Sequence, residues 1–237
     1  MPPTRREKLQ AHAEHLLDAF LGLRGTFAML EPILFERSVV ELWGAGKRAQ
    51  GLHVLTTALF QSCVLAIAKI TRDNDERSPS VMKLVTALDA DSLAAELREA
   101  FAIWNLAPIS GYDPDVLALL QTAERREEQK RRIEFDALVQ DLRSGWASLG
   151  VSPAMKSFGV IRDKLIAHNE LWHDGLTYRP LDISTLGLKW SDLRAVINDL
   201  QTLIAQITLV YRNTSFAFDA LDEQLAAAKT QFWSPTQ

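Results

Sequence analysis

Apolar residues recur along this chain at three- and four-residue spacing, the period of a helix that buries one face. Thr4-Arg5-Arg6-Glu7 has the form of a capping box, and Leu9, Leu16, Leu17, Phe20 and Leu23 then share one side of a first helix. A second helix is predicted from about Pro32 to Trp43, ending at Gly44-Ala45-Gly46, and a third from about Arg48 to Ile70. The stretch Leu52–Ile70 is the most apolar of the chain, but His53, Gln61 and Lys69 interrupt it, so it reads as a buried helix rather than a membrane span. Ser78-Pro79 offers an N-cap with proline at the first helical position, and Val81, Leu84, Val85 and Leu88 follow as an apolar side. Asp91 opens a helix carrying Leu93, Leu97, Phe101 and Trp104. Asp113-Pro114 starts one that can reach Trp146, roughly 50 Å at 1.5 Å per residue. Ser152-Pro153 opens the next. Residues 173–187 hold Gly175, Pro180 and Gly187 and read as a loop. A last helix runs from about Ser191 to about Lys229, with a break at Asn213-Thr214-Ser215. Strand-type alternation and internal repeats are absent. The pattern therefore predicts an all-α, multi-helix bundle of long antiparallel helices, with residues 1–237 as one domain and residues 1–47 as an N-terminal helical extension.

Composition narrows the function classes. Hydrophobic residues make up 47% of the 237, enough for a sizeable core. The net charge of −4 argues against a broadly basic surface that binds nucleic acid by bulk electrostatics. The one cysteine, Cys63, lies in an apolar helix and reads as a core residue. It excludes an internal disulfide and any multi-cysteine zinc site, which suits a reducing cytoplasm. The N-terminus has charges but no apolar stretch behind them, so no secretory signal is expected.

One stretch departs from the ordinary pattern. Arg162–His168 reads R-D-K-L-I-A-H. On a straight α-helix with ~100° per residue, Met155, Phe158, Ile161, Leu165 and Ile166 form an apolar arc, and Arg162 and Asn169 fall inside it. His168 lies on its rim, and Asp163 lies outside. A charge there needs either an acid from a neighbouring helix or an open polar cleft. The same geometry sets Arg162 and His168 about 240° apart, too far for one straight helix to aim both at one point. A two-fold dimer would remove that difficulty.

R-D-K-L-I-A-H-N-E resembles the R-x4–6-H motif of the HEPN superfamily (Higher Eukaryotes and Prokaryotes Nucleotide-binding). Within it, the abortive-infection AbiU-like branch, which tends to read R-D-K-x-x-A-H, is the nearest match. Upstream, A-I-A-K-I-T-R-D and R-S-P-S-V-M-K-L-V resemble the same branch, and the likeness covers about residues 50–210. The resemblance implies a helical-bundle homodimer acting as a metal-independent endoribonuclease in a toxin–antitoxin or anti-phage defence setting. It implies Arg162 and His168 as the catalytic pair, with Asp163, Lys164 and Asn169 positioning them, RNA as substrate, an antitoxin protein as a possible partner, and no metal or other cofactor. The chemistry suits these residue types. Histidine moves protons near neutral pH. Arginine stays charged and holds phosphate oxygens as negative charge builds. Attack by the RNA's own 2′-OH needs no metal. The alternative is a non-catalytic HEPN module that binds nucleotides or a protein partner; Asp163, standing where many active members carry asparagine, is the residue that favours it.

Other candidates carry less. Lys164 is one turn before His168 and can contact it or the RNA. Arg72-Asp73 reads as a helix end and turn, or as an ion pair supplied to the motif. Residues 124–136 mix five basic and five acidic side chains, with Glu127–Arg131 and Glu128–Arg132 in favourable order, and read as a solvated helix arm. His12, His15 and Asp18, and separately His173-Asp174 with His168, have spacings that a metal can use but that surface histidines share. The six tryptophans read as packing anchors.

Overall fold

The computed structural model describes residues 4–73, 75, 77–104, 113–167, 171–173, 177–180 and 182–234. Among them are nine α-helices: α1 (Arg5–Phe35), α2 (Arg37–Trp43), α3 (Lys47–Arg72), α4 (Val81–Ala87), α5 (Asp91–Ala102), α6 (Pro114–Val151), α7 (Pro153–Ile161), α8 (Trp190–Arg212) and α9 (Phe218–Trp233). A π-helical segment, Arg162–Ala167, continues α7. Two short strands, β1 (Leu171–His173) and β2 (Tyr178–Pro180), pair antiparallel before a 3-10 turn at Ile183–Leu186. The fold is all-α. The ribbon and the turn occupy ground that the sequence pattern left as loop, because three-residue strands are too short to show alternation.

The helix-start chemistry is where the caps put it. Thr4 accepts from the Glu7 amide at 3.2 Å while the Glu7 carboxylate accepts from the Thr4 amide at 2.7 Å. Asp113 caps α6 and Ser152 caps α7, each with proline next. Two boundaries differ from the sequence reading. Pro32 does not start a helix; it lies within α1, which runs on to Phe35. Proline there forfeits only the bond to the Ala28 carbonyl, and continuing the helix buries Pro32 and Ile33. At α4 the cap is Ser80, not Ser78: the buried Ser80 hydroxyl accepts from the Lys83 amide.

The core is one large cluster, with a smaller one of Ile33, Val39 and Trp233 beside it. Leu16, Phe20 and Leu23 of α1 meet Phe60, Cys63, Val64 and Ile67 of α3 and Leu193, Ile197, Leu200 and Ile204 of α8. Burial raises the Cys63 thiol to about 12, so it stays protonated. Tyr211 is buried, and its hydroxyl donates to the Leu84 carbonyl at 2.6 Å, tying α8 to α4. Helix α6 spans 38 residues, about 57 Å, and its buried residues begin only at Phe135. Its charged stretch keeps one of the two expected intrahelical pairs: Arg132 meets Glu128 at 3.6 Å. Arg131 instead stacks its guanidinium on Phe101, 5.1 Å from the ring centre, and Glu127 pairs with Lys130.

Helix α3 corrects a second expectation. It buries Phe60, Cys63, Val64, Ile67 and Ile70 along one side, but only 22% of its most apolar eighteen residues is buried. By length and composition alone α3 also passes for a membrane-crossing helix. The opposite side carries Gly51, Val54, Leu55, Ala58 and Ser62, all exposed, then half-buried Leu65, and ends at exposed Lys69 and Arg72. These positions repeat every three or four residues and form one stripe.

Candidate functional site

Arg162 stands where the helix changes pitch. The α-helical part of the α7 element ends at Ile161, and Arg162–Ala167 close i→i+5 bonds. The Arg162 amide donates to both the Phe158 and Gly159 carbonyls at the junction. Each residue of an i→i+5 helix turns the chain less than the 100° of an α-helix. The straight wheel used to place His168 therefore does not apply beyond Ile161. Single-turn π segments recur at functional sites because they redirect side chains.

Within the segment, Leu165 and Ile166 pack against the core as expected, while Asp163 and Lys164 are exposed. Arg162 keeps 38% of its side chain exposed. Among the described residues it makes no ion pair with a neighbouring helix. Its carboxylate partner is the adjacent Asp163, which Nε reaches at 2.6 Å and Nη2 at 2.5 Å. Half-exposed pairs of this kind contribute at most about 1 kcal/mol. His168 and Asn169 lie outside the described residues.

Arg162 and Asp163 line a cleft of about 160 Å³ between α7 and α3. Met155, Phe158 and Gly159 form one wall, and Ile67, Ala68, Thr71 and Arg72 the other. The arrangement follows from spacing: Gly159 precedes Arg162 by three residues, and Ala68, Thr71 and Arg72 fall at i, i+3 and i+4 on α3. A Cβ built on Gly159 would meet nothing within 4 Å, so the missing side chain leaves that wall open. The Thr71 hydroxyl is buried and turned back onto its own helix, donating to the Ile67 carbonyl at 2.7 Å. Arg72 donates from Nη2 to the Gly150 carbonyl at 3.0 Å. It thus sits at the C-terminal end of α6, where the helix dipole favours a cation. The sequence offers Arg72-Asp73 either as an ion pair for the motif or as a helix end and turn; in the structure Arg72 closes α3, lines the cleft and is held by a backbone carbonyl. Gly159 was missed altogether, because a glycine inside an apolar run carries no chemical signal of its own.

Two guanidiniums, one carboxylate and an apolar floor make a cleft that suits an anion. Two somewhat larger clefts, about 220 and 230 Å³, lie along α9. In the second the charges are matched across helices: Arg24 with Asp222, and both Arg194 and Lys229 with Glu31. The Arg24–Asp222 and Lys229–Glu31 pairs join α9 to α1, and Arg194–Glu31 joins α8 to α1. Among the described residues, no three His, Cys, Asp or Glu side chains gather closely enough to hold a metal ion.

Comparison with known proteins agrees with the motif. No curated protein and no solved structure gives a significant match. The HEPN AbiU2 family, described as AbiU2, matches residues 6–231, a wider span than the motif region and one that takes in α1 and most of α9. An all-helical chain with R-D-K-L-I-A-H at a widened helix turn, matched over nearly its whole length, belongs to the HEPN AbiU2 family of abortive-infection-type HEPN proteins.

Proposed function

We propose that this protein is a metal-independent endoribonuclease that acts as a defence effector or toxin, cleaving RNA by attack of the 2′-OH on the adjacent phosphate. Arg162 holds the phosphate oxygens and stabilises their growing charge. His168 moves the proton at the 2′-OH or the leaving oxygen. Lys164, Asp163 and Asn169 position the pair. Dependence on the 2′-OH makes RNA the substrate rather than DNA. The observation that carries this reading is the state of Arg162: half-exposed, in a cleft shared with Arg72, and paired, among the described residues, with its own neighbour Asp163. A phosphate diester can displace that weak internal partner.

The reading includes a homodimer that completes each site across its axis. The exposed stripe of α3 supports it. Small and apolar side chains from Gly51 to Leu65 lead along one helix face to Arg72 at the cleft. A two-fold contact along such a stripe would bring the two clefts toward each other. The whole chain, residues 1–237, then acts as one unit in the cytoplasm, restrained by an antitoxin protein.

A second reading has one observation in its favour. The Arg162–Asp163 pair occupies the guanidinium that would bind phosphate, which suits a non-catalytic module that binds nucleotides or a protein. Incubation of purified protein with cellular RNA in EDTA separates the two. Cleavage by the wild type, lost in Arg162→Ala and in His168→Ala, supports the enzyme. Intact RNA with the wild type, or equal cleavage by all three, refutes it.

A further inference from the structure

We propose that Arg72 is the anchor of the Arg162 cleft: it takes a backbone phosphate of the RNA in the ground state, before Arg162 gives up Asp163 to engage the scissile phosphate. The inference rests on the reading of this cleft as an RNA-cleaving site.

Each arginine of the cleft is followed by an aspartate, Arg72-Asp73 and Arg162-Asp163, yet the two dipeptides are in opposite states. Asp163 lies against its own arginine, its carboxylate accepting from Nε. Asp73 turns away from Arg72. Its Oδ1 accepts from the Asp75 amide at 3.0 Å, a turn just past the end of α3, and its carbonyl accepts from the Ser80 hydroxyl at 3.4 Å. The turn thus takes up the acid nearest to Arg72. Among the described residues Arg72 has no carboxylate within ion-pair distance. The group that holds it is neutral, the Gly150 carbonyl at 3.0 Å. A Cβ on Gly150 would lie 3.4 Å from Arg72 Nη2, so the glycine lets the guanidinium rest close against the end of α6. That contact fixes the side chain and uses one of its five N–H donors. Arg72 is exposed and lines the cleft together with Arg162.

This asymmetry divides the work between the two arginines. A phosphate that reaches Arg72 displaces no anion, and the guanidinium fork matches its oxygens. A phosphate that reaches Arg162 must first displace a carboxylate. The contact at Arg72 is the same before and during reaction, so it lowers KM. The contact at Arg162 strengthens as charge builds on the phosphate, so it raises kcat. Both guanidiniums line one cleft of about 160 Å³, so RNA held at Arg72 presents a phosphate of the same strand to Arg162. The net charge of −4 supplies no bulk attraction for RNA. Capture therefore falls to a cation that is already open.

Three variants test the division: Arg72→Ala, Arg72→Gln, which keeps an amide donor for the Gly150 carbonyl without the charge, and Arg72→Lys, which keeps the charge without the fork. Two readouts are needed. One is steady-state cleavage of single-stranded RNA in EDTA. The other is equilibrium binding of the same sequence carrying 2′-O-methyl groups, which lacks the attacking hydroxyl and reports binding alone. Arg72→Ala and Arg72→Gln are expected to raise KM and weaken binding about ten-fold, the worth of one charged hydrogen bond, with kcat and the melting temperature unchanged. Their binding should also lose about 0.7 from the slope of log affinity against log salt, one phosphate contact fewer. Arg72→Lys should lose less. Unchanged KM and binding in Arg72→Ala, or a fall in kcat at unchanged KM, overturns the anchor while cleavage by the wild type still stands. Arg72→Gln behaving as the wild type while Arg72→Ala is impaired makes the role structural and also overturns it. A wild type that binds RNA through Arg72 but cleaves none keeps the anchor and refutes the ribonuclease. A wild type that neither binds nor cleaves overturns both.

Discussion

Gly159 gives the cleft a test that separates folding from function. It lies two residues before the end of α7, and a Cβ added there meets nothing within 4 Å. Replacing a helical glycine by alanine gains about 0.8–1 kcal/mol in propensity at an interior position. So close to the helix end, about 0.5–1 kcal/mol is the reasonable share. For a chain of this size that raises the melting temperature by roughly 1–4 °C. Leucine has nearly the propensity of alanine, so Gly159→Leu should also fold without loss. Its side chain, however, fills the wall of a cleft of only about 160 Å³ beside Arg162. Losing one charged hydrogen bond to phosphate is worth roughly 1.5–3 kcal/mol, so RNA cleavage by Gly159→Leu should fall at least about ten-fold in kcat/KM. Gly159→Ala should fall much less. Calorimetry and an RNA cleavage assay on the same preparations read both effects. Full cleavage by a stably folded Gly159→Leu would refute the assignment of this cleft. A Gly159→Ala protein destabilised by more than about 1 kcal/mol would refute the open-wall geometry itself.

Three further outcomes follow from the same geometry. Asp163→Asn removes the carboxylate held by Arg162 and should lower KM for RNA; an unchanged or raised KM contradicts displacement of Asp163 by phosphate. Tyr211→Phe leaves the buried Leu84 carbonyl without its 2.6 Å donor, which should cost about 1–3 kcal/mol and several degrees in the melting temperature. Burial, with repulsion from Lys8, Lys83 and His15, holds the His12 pKa below its ordinary 6.5. The unfolded chain then takes up a proton that the folded chain refuses, so stability is full above about pH 6.5 and falls as pH drops below it. His12→Gln should flatten that slope in urea titrations; an unchanged slope removes His12 as its source.

Helix starts were legible because caps are local chemistry: Thr4, Asp113-Pro114 and Ser152-Pro153 each satisfy amides within three residues. Pro32 misled because its cost depends on tertiary burial, and Ser78 because two serines flank one proline and only the buried Ser80 aims at the helix. The apolar pattern of α3 was readable, but not how much of it the remaining helices cover. Arg162 stood out as a charge in an apolar arc, and its motif gave the family. Its surroundings were not readable. The change to i→i+5 bonding at Arg162, the approach of Arg72 from a helix ninety residues upstream, and the space beside Gly159 all arise from packing between elements. No spacing along one helix encodes them.

The composite site is tested most directly by mixing two inactive proteins. Arg162→Ala retains His168, and His168→Ala retains Arg162. If each site takes its arginine from one subunit and its histidine from the other, every mixed dimer holds one intact site. After subunit exchange at equal concentrations, half the dimers are mixed, and RNA cleavage in EDTA should return to about a quarter of the wild-type rate. Cleavage no greater than the sum of the two separate variants would contradict a site shared across the dimer.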